Sequence, residues 1–444
     1  MIVMKFGGSS VRNSQMIRRV IDIATTRLEA APVLVSSAMG KTTDTLVLVA
    51  SHAQGGDRDA AFALIEKIEA AHYTAARELV PGSDGLQRAL RRHFDELRGL
   101  TQGIFLIREC SPRSSDAILS FGERLSTLII TAAAREIGVD AQLVDARTLI
   151  RTDATFGAAS PEMQRTSRHI REQLRPRPDH LYVTQGFIGS TEDGVTTTLG
   201  RGGSDYSATI IGAALEADAV EIWTDVDGIM TSDPRVIPEA RTIPTISYDE
   251  AAELAYFGAR VVHPYTILPA VRRAIPVWVR NTTEPLAQGT CIQAQTEASG
   301  VRAIASKSGV TLITIQSSRM LNAYGFLRAL FAVFDTHRVS VDLVATSEVS
   351  VSMTVDRDVD LSPIVRDLSP LGEVSVEREK SIICIVGRDV LRRADVLARI
   401  FAAMGPSPVR MISLGSSDIN LTLLVAENDT VPVLRSLHNV FFGS

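Results

Sequence analysis

Cysteine is scarce in this sequence, and its scarcity narrows the class of protein. The three cysteines, Cys110, Cys291 and Cys384, lie far apart and are odd in number. Disulfide-stapled domains carry dense, even sets of cysteines, and zinc sites need cysteines or histidines a few residues apart. The eight histidines do not cluster at such spacings either. We therefore expect no disulfide framework and no structural metal, in a reducing compartment that we take to be the cytoplasm.

Excess positive charge and long apolar runs are also missing. The net charge is −5 and the isoelectric point is about 6.0, so we expect no bulk attraction to nucleic acid or to a membrane surface. No apolar run suggests a membrane span, and the first residues lack a signal-peptide pattern. The 45% hydrophobic and 22% charged residues are typical of a soluble globular protein, and 444 residues predict two or three domains.

Strand-like apolar runs alternate with helical patterns through roughly the first 280 residues. The runs APVLVSSAMG, HLYVTQGFIG, AVEIWTDVDG and IPVWVRNT end in polar residues, and SSDAILSFGERLSTLIITAAAREIG predicts one long capped helix. Buried strands separated by helices predict an α/β fold, a mainly parallel sheet sandwiched by helices. Ligands of such sheets bind at the carboxyl ends of the strands, where the polar motifs of this chain fall.

The last third of the chain carries a weak internal repeat. Residues 284–300 lose periodicity and predict a linker. Beyond it, VSVDLVATSEVSVSMTV from Val339 and VRMISLGSSDINLTLLV from Val409 share a strand, a small polar turn and a second strand, 70 residues apart (409 − 339). Helical patterns precede both segments at the same offset, so the repeat predicts two paired α/β modules.

Two glycine-containing stretches predict anion-binding sites. In MIVMKFGGSS, Lys5 stands at the tip of an apolar run beside two glycines. Glycines let backbone N–H groups approach a phosphate and the lysine adds charge, although an ordinary strand and turn would have the same pattern. In TLGRGGSDYSATIIGAAL, three glycines lead into a helix that Ser204 or Asp205 could cap, and Arg201 suits a carboxylate or phosphate. The alternative there is a tight turn with a surface arginine.

Three other charged residues are weaker candidates. Glu123 lies in SFGERLS within an otherwise apolar helix, either as a solvated glutamate beside Arg124 or as a carboxylate that holds a substrate ammonium. In WTDVDGIMTSDPR, Asp225 ends a buried strand and could orient a metal-bound phosphate or a lysine, and Arg235 could reach a phosphate. Taken singly, these last two are ordinary loop residues.

Together the motifs resemble those of the aspartate kinases, within the amino-acid kinase superfamily. KFGGSSV, SSAMGKTTD, SFGERLS, GRGGSDYSA, WTDVDGIMTSDPR and GARVVHP occur in that family's order along nearly the whole chain, and the repeat resembles its pair of regulatory ACT modules. The resemblance implies an amino-acid kinase catalytic domain over 1–290. It also implies two ferredoxin-like βαββαβ ACT modules, over 301–378 and 379–444, and the first strand of the second could come from 301–307.

The resemblance implies ATP-dependent phosphorylation of the side-chain carboxylate of L-aspartate, the first step toward lysine, methionine and threonine. Lys5 would neutralise the phosphates as the γ-phosphoryl moves, Asp205 would orient the reacting groups, and Mg²⁺ would be carried by the ATP phosphates without a protein metal site. The nucleotide side would comprise Lys5, Gly7, Gly8, Ser9, Thr224, Asp225, Met230, Arg235, Arg260 and Val261. The substrate side would comprise Ser36, Thr42, Glu123 for the ammonium, Arg201 for the α-carboxylate, Gly202, Gly203 and Ser204.

Two nucleotide-side residues depart from the pattern of the relatives. Met230 stands where they carry a tyrosine, and Arg260 stands where they carry a lysine. Methionine keeps an apolar contact but loses a ring and a hydroxyl, and arginine keeps the charge but not the shape. The departures bear on nucleotide affinity more than on the type of reaction.

The repeat resembles the lysine-sensitive branch of the family, which implies an allosteric amino acid, lysine before threonine. The implied effector residues are Met320, Ala323, Gly325, Phe326, Leu327, Ser340, Val341, Asp342, Thr346 and Glu348. Asp342 or Glu348 would pair with a lysine ε-ammonium, unless both are simply exposed strand-end acids. Ala323 replaces a serine of that branch, and an uninhibited enzyme stays open. We expect a homodimer, or a dimer of dimers, through the ACT modules, whose strand edges otherwise lack partners.

Two other functions stay open on the sequence alone. An acetylglutamate or uridylate kinase would share the sheet and the phosphate lysine, but would lack the double module and the SFGERLS helix. A non-catalytic ACT sensor of amino acids would be indicated by loss of Lys5, Arg201 or Asp225, and all three are present.

Overall fold

The computed structural model describes residues 1–257, 262–296, 299–321, 324–415 and 418–443. The chain divides into two compact units. The first unit comprises Met1–Ile229, Pro244–Tyr248 and Val261–Gln295, and the second comprises Met230–Ile243, Asp249–Arg260 and Thr296–Ser444.

The first unit is built on an eight-stranded sheet. The strands of this unit are β1 (Ile2–Phe6), β2 (Val33–Ser36), β3 (Asp140–Val144), β4 (His180–Gln185), β5 (Ile188–Ser190), β6 (Thr196–Thr198), β7 (Ala219–Thr224), β8 (Thr245–Ser247), β9 (Val277–Asn281) and β10 (Thr290–Gln293). The sheet order is β3-β4-β2-β1-β7-β9-β10-β8, and β5 pairs with β6 in a separate hairpin. Within that order, the neighbours β3, β4, β2, β1, β7 and β9 pair in parallel, whereas β10 runs antiparallel to β9.

Helices surround this sheet. They are α1 (Ser14–Thr25), α2 (Thr42–Gly55), α3 (Arg58–Leu79), α4 (Asp84–Ile107), α5 (Pro112–Leu119), α6 (Phe121–Glu136), α7 (Ala146–Leu149), α8 (Met163–Gln173), α9 (Gly203–Leu215), α10 (Tyr248–Tyr256), which continues into the second unit, and α11 (Pro264–Val271). Phe6 and Trp223 stack at 5.8 Å between ring centres within the core. The predicted α/β class, a mainly parallel sheet with helices, is confirmed.

Strand β1 is central in the sheet, and this placement fixes the position of the predicted motifs. Its register aligns Lys5 with Val35 of β2 and with Ile222 of β7. Strands β2 and β7 lie on opposite sides of β1 in the sheet. A crevice therefore forms beyond the carboxyl ends of these three strands. The loops after β1, β2 and β7 are the stretches that carry GGSS, SAMG and DVDG.

Two local predictions from sequence are wrong. The stretch expected to be one helix is two, α5 and α6, with Ser120 ending one and preceding the other. The linker expected over 284–300 contains β10, which hydrogen-bonds with β8 and β9 in the main sheet. Pro112–Glu136 is also apolar enough, by length and composition, to suggest a membrane span, contrary to expectation, but 78% of that window is buried in the protein, as in a core helix.

The second unit is built on a six-stranded antiparallel sheet. Its strands are β11 (Gly300–Gln316), β12 (Val344–Thr346), β13 (Ser350–Asp356), β14 (Glu373–Arg388), β15 (Met411–Ser413) and β16 (Asn420–Ala426), in the order β12-β13-β11-β14-β16-β15. Its helices are α12 (Phe326–Thr336), α13 (Leu361–Leu368), α14 (Ala394–Ala403) and α15 (Thr430–Phe442). The repeated strand pairs are β12 with β13 and β15 with β16, so the two predicted modules are present.

Strands β11 and β14 each run through both modules. The half of β11 from Gly300 to Ser308 pairs with the half of β14 that also pairs with β16, and the half of β11 from Val310 to Gln316 pairs with β13 as well as β14. The register shifts between these halves at Gly309, whose φ of +76° suits a bulge glycine. The domain boundaries 301–378 and 379–444 stay a prediction.

The segment Met230–Ile243 packs with the second unit. Ile237 is buried in the core formed by α14, α15 and their strands. The backbone of Thr231 accepts a hydrogen bond from the Ile304 N–H at 2.8 Å, and the hydroxyl of Ser232 donates to the Ile304 carbonyl at 2.9 Å. Sequence patterns did not indicate this association, because it depends on contacts distant in the chain.

Candidate active site

A cleft of about 350 Å³ lies at the carboxyl ends of β1 and β2. It joins both predicted glycine stretches and the predicted glutamate. Its lining residues are Lys5, Gly8, Ser37, Ala38, Gly40, Thr43, Glu123, Phe187, Gly200, Arg201, Gly202, Gly203, Ser204 and Asp205. Residues separated by some two hundred positions in the chain therefore meet in one concave surface, as the parallel-sheet rule requires.

The glycine turn before α9 presents backbone amides to the cleft. Gly202 is the N-cap of α9 with a φ of +70° and supplies no side-chain cap, so the predicted capping by Ser204 or Asp205 is wrong. A Cβ on Gly202 would come within 2.8 Å of Thr266, and one on Gly203 within 2.7 Å of Phe187. The uncapped first turn of a 13-residue helix offers N–H groups and the positive end of the helix dipole to an anion.

Lys5 and Asp205 form an ion pair inside the cleft. Lys5 Nζ lies 2.6 Å from Asp205 Oδ1, and the two side chains are only 11% and 13% exposed. Asp205 lies in the first turn of α9, so the pair connects the tip of β1 to the glycine turn. The Lys5 ammonium is thus held beside the N-terminus of α9.

Glu123 is buried with half of its carboxylate unsatisfied. Oε1 accepts a hydrogen bond from the Ala38 N–H at 3.1 Å, whereas Oε2, buried, has no hydrogen-bond partner. Burial raises the pKa of Glu123 to about 8, against a smaller lowering by the Ala38 hydrogen bond. Its alternative as a solvated glutamate beside Arg124 is wrong, because Glu123 is 3% exposed and Arg124 pairs with Glu96.

The loops after β1 and β2 interlock at Gly8. The Gly40 N–H donates to the Gly8 carbonyl at 3.0 Å, and a Cβ on Gly8 would lie 2.8 Å from the Gly40 carbonyl oxygen. A side chain there would push the two loops apart. Gly8 is therefore a glycine because the backbone of another loop occupies the space of its Cβ.

Several predicted residues lie beside the cleft without lining it. The Ser36 hydroxyl donates to the Ser37 carbonyl and the Thr42 hydroxyl to the Met39 carbonyl, while their neighbours Ser37 and Thr43 line the cleft. Gly7 donates its N–H to the Trp223 carbonyl. The predicted substrate and nucleotide roles of Ser36, Thr42, Gly7 and Ser9 stay predictions.

The other predicted nucleotide residues are divided between the two units. Thr224 ends β7 and donates its hydroxyl to exposed Asp225 in the first unit. Met230 bridges Thr242, and Arg235 pairs with Asp233 through two nitrogens at 3.0 and 2.7 Å, in the second unit. Arg260 and Val261 lie outside the described residues.

Comparison with known proteins identifies the family. A family model described as "Amino acid kinase family" matches residues 1–281, and one described as "ACT domain" matches residues 383–441. The chain is 38% identical to lysine-sensitive aspartokinase 3 of Escherichia coli, over 99% of each chain. The chain belongs to the aspartokinase family. Two crystal structures of E. coli aspartokinase III are similar to this chain, each with a TM-score of 0.84 at 38% identity. The structure with aspartate and ADP (R-state) matches over 100% of both chains. The structure with lysine and aspartate (T-state) matches over 100% of this chain and 99% of its own.

Membership of the aspartokinase family settles the class of reaction. Its members are kinases that phosphorylate the side-chain carboxylate of L-aspartate, and the chain is an enzyme of that kind. The acetylglutamate, uridylate and non-catalytic alternatives are therefore not retained.

Asp116 supports the site of this aspartokinase family member, and sequence analysis missed it. It is 1% exposed on α5, and its Oδ2 accepts the N–H groups of Gly157 and Thr198 while Oδ1 accepts the Thr198 hydroxyl. Thr198 ends β6 two residues before Gly200, so Asp116 anchors the strand that enters the glycine turn. Burial raises its pKa, against three hydrogen bonds that lower it. The three donors could not be foreseen, because they come from segments distant in the chain.

We expect Asp116→Asn to lower kcat/KM for the acceptor by about 10- to 100-fold, because an amide nitrogen replaces one of two acceptor oxygens and displaces the glycine turn. Steady-state kinetics with varied aspartate measures the effect. We expect it mainly as a higher KM, with little change in the melting temperature. Asp193→Asn, an exposed change in the β5–β6 hairpin, is the matched control. Unchanged kinetics in Asp116→Asn would contradict the positioning role.

The predicted effector residues lie in the first module of the regulatory half. Met320, Phe326 and Val341 pack against its core, and Gly325 is the N-cap of α12 with a φ of +80°. Further effector residues are exposed, namely Leu327, Ser340, Thr346 and Glu348. Ala323 lies outside the described residues. The alternative reading of Asp342 as an exposed acid is wrong, because its side chain is 5% exposed and ion-paired.

Proposed function

We propose that the cleft between β1, β2 and α9 binds L-aspartate and the phosphates of ATP, and that the γ-phosphoryl is transferred there to the aspartate side chain. One observation carries the proposal. A buried carboxylate oxygen of Glu123 without a partner lines the same cleft as the Lys5 ammonium and the uncapped terminus of α9. An acceptor with an ammonium group, together with phosphate anions, matches these three features.

In the proposal, the ammonium and the α-carboxylate of aspartate each have a partner of opposite charge. Its ammonium pairs with Glu123 Oε2, which otherwise stays buried without a donor. Its α-carboxylate pairs with Arg201 at the cleft rim and with the amides of Gly202 and Ser204, since the Gly203 N–H donates to the Gly200 carbonyl. The side-chain carboxylate is then the one group left free to meet the γ-phosphate.

The reaction needs positioning and charge neutralisation more than acid–base catalysis. A carboxylate with an ordinary pKa of roughly 4 is ionised at neutral pH, so an oxygen lone pair attacks the γ-phosphorus without a general base. The bond to the β-phosphate oxygen breaks and ADP leaves. Two anions must approach each other, and Lys5 and the α9 amides lower the repulsion between them.

Asp205 positions the lysine for that step. Its carboxylate holds Lys5 Nζ at 2.6 Å, which keeps the extended side chain aimed across the cleft. Mg²⁺ carried on the ATP phosphates supplies further neutralisation of charge. The described residues contain no group of three or more His, Cys, Asp or Glu placed to hold a metal ion. Thr224 and Asp225, at the end of β7 in the first unit, are the further nucleotide contacts in the proposal.

Regulation in the proposal is feedback inhibition by L-lysine at the predicted effector residues. The E. coli relative is named lysine-sensitive and has a structure with bound lysine, which supports lysine over threonine. We also propose a homodimer through the ACT modules. Phe331 of α12 and its repeat equivalent Phe401 of α14 are 37% and 43% exposed, which supports an interface there.

The first test is formation of an acyl phosphate from MgATP and L-aspartate, trapped with hydroxylamine. We expect product, and less product with millimolar L-lysine. Product that does not respond to lysine would keep the kinase and reject lysine as effector. No product from a folded protein that binds ATP would reject aspartate as the acceptor.

A further inference from the structure

Asp342, one of the two acids implied in binding an effector ammonium, already has a partner from its own chain at each carboxylate oxygen. Its Oδ1 accepts the Tyr256 hydroxyl at 2.5 Å, and its Oδ2 lies 2.6 Å from Lys307 Nζ. The Asp342 side chain is 5% exposed. Each carboxylate oxygen already accepts from a group of the same chain, so an ammonium that binds at Asp342 must share an oxygen with that group or displace it.

Lys307 has a second carboxylate within reach. Its Nζ lies 2.8 Å from Asp356 Oδ1, and Asp356 is 61% exposed. Lys307 itself lies on β11 and is 24% exposed. Burial lowers the pKa of Lys307, but the hydrogen bonds and charges of Asp342 and Asp356 outweigh it and raise the pKa above its usual value, so the side chain stays an ammonium.

Tyr256 occupies Oδ1 of Asp342 and leaves Oδ2 as the oxygen that contacts an ammonium. Burial raises the pKa of its hydroxyl, with a further rise from the Asp342 hydrogen bond, so the phenol stays protonated and donates to Oδ1. Lys307 Nζ also lies 5.7 Å from the Tyr256 ring centre. With Oδ1 taken by a phenol, an arriving ammonium and Lys307 contend for Oδ2.

We infer that Lys307 is an internal competitor for the effector ammonium at Asp342 and thereby sets the affinity of the allosteric site for a cationic amino acid. The inference rests on the proposed regulatory function of Asp342. The competition is made reversible by Asp356, since a displaced Lys307 keeps that exposed carboxylate as its partner and is not left as an unpaired buried charge. An effector without a side-chain ammonium gains nothing at Asp342 by displacing Lys307.

Calorimetric titration of L-lysine into the full chain tests the inference. Lys307→Met keeps the length of the side chain and removes the ammonium, and we expect it to bind lysine about tenfold more tightly than the wild type. Lys380→Met is the charge-matched control, because Lys380 on the neighbouring strand β14 pairs with Glu377 at 3.2 Å and makes no contact with Asp342. The control should change the dissociation constant by less than about twofold.

A double-mutant cycle separates competition from a general change in charge. Asp356→Asn should weaken lysine binding, because displaced Lys307 would then have no carboxylate partner. If Asp356 acts through Lys307, this effect should disappear in the Lys307→Met background. Equal effects of Asp356→Asn in both backgrounds would show long-range electrostatics alone and overturn the inference. If Lys307→Met does not fold, the Asp356→Asn titration is the remaining test, and unchanged lysine binding by Asp356→Asn would contradict the inference.

The outcomes also separate this inference from the proposed function. Wild type that binds no lysine, with Lys307→Met that does, supports the competitor and rejects lysine inhibition of the natural enzyme. No binding by either protein rejects both the effector and the competitor. Acyl-phosphate formation without lysine, measured in parallel, reports catalysis independently of effector binding.

Discussion

Lys5→Met is expected to lower kcat by at least about 10³-fold while the protein remains folded. The Lys5 ammonium is the cation at the tip of the central strand, and it lies beside the uncapped terminus of α9. Its charge counts most in the transition state, where the γ-phosphoryl lies between the attacking carboxylate oxygen and the leaving β-phosphate oxygen. The measurement is acyl-phosphate formation at saturating MgATP and aspartate, with circular dichroism as the check on folding.

Two variants control for the loss of a lysine. Lys67→Met removes an exposed lysine of α3 and should leave kcat unchanged. Lys5→Arg keeps a cation beside Asp205, so it should restore stability but only part of the turnover, because the planar guanidinium differs in shape. A kcat of Lys5→Met within about tenfold of the wild-type value would contradict the proposed role of Lys5 in phosphoryl transfer. A rise confined to KM for ATP would reduce Lys5 to a binding residue.

Glu123→Gln is the second change with a large expected effect. It should lower kcat/KM for aspartate by about 10²- to 10³-fold, because the substrate ammonium would lose the buried carboxylate that we propose as its partner. Glu136→Gln, at the exposed end of the same helix, is the matched control and should be neutral. Steady-state kinetics over aspartate concentration gives the result, and near-normal kcat/KM in Glu123→Gln would remove Glu123 from the substrate site.

The raised pKa of Glu123 adds a pH signature to this prediction. Below its pKa of about 8 the free enzyme holds the carboxyl neutral, and an ammonium prefers the ionised form. For the wild type, log kcat/KM for aspartate should therefore rise by about one per pH unit up to pH 8 and then level. Glu123→Gln should lack this rise. A wild-type profile that is flat from pH 6 to 8 would contradict the assignment.

The same pKa makes a prediction for stability with a definite sign. The folded protein keeps the Glu123 proton up to a pH of about 8, whereas the unfolded chain releases it near 4.5. The unfolded state therefore binds fewer protons in this interval, and the free energy of unfolding falls as pH rises through it. Urea denaturation of Glu123→Gln should show a shallower fall than the wild type.

The local chemistry of the site could be predicted from sequence, whereas its supports could not. Lys5, Glu123 and the turn Arg201–Asp205 are residues whose type and neighbours are unusual for their elements, and the parallel-sheet rule gathers strand ends in one place. Asp116 carries no such signal. It is an aspartate in a helix, and only its three donors from other segments give it a role.

Phe187 illustrates the same limit for backbone geometry. It lines the cleft with a φ of +68°, an unusual value for a residue that is not glycine. Its sequence context, HLYVTQGFIG, predicts a strand, whereas the structure has a break between β4 and β5, where a Cβ on Gly203 would lie 2.7 Å from Phe187. The strand β10 was missed for a related reason, because four residues form a strand there only through pairing with β8 and β9.

The long strands β11 and β14 bear on how the regulatory half unfolds. Because each strand contributes one half to each module, neither module has a complete sheet when the other is removed. A fragment that begins at 379 lacks Gly300–Ser308, the strand beside the half of β14 that it keeps. The two modules should therefore melt in a single cooperative transition, and loosening either end of β11 should lower the protection of backbone amides from hydrogen exchange in both.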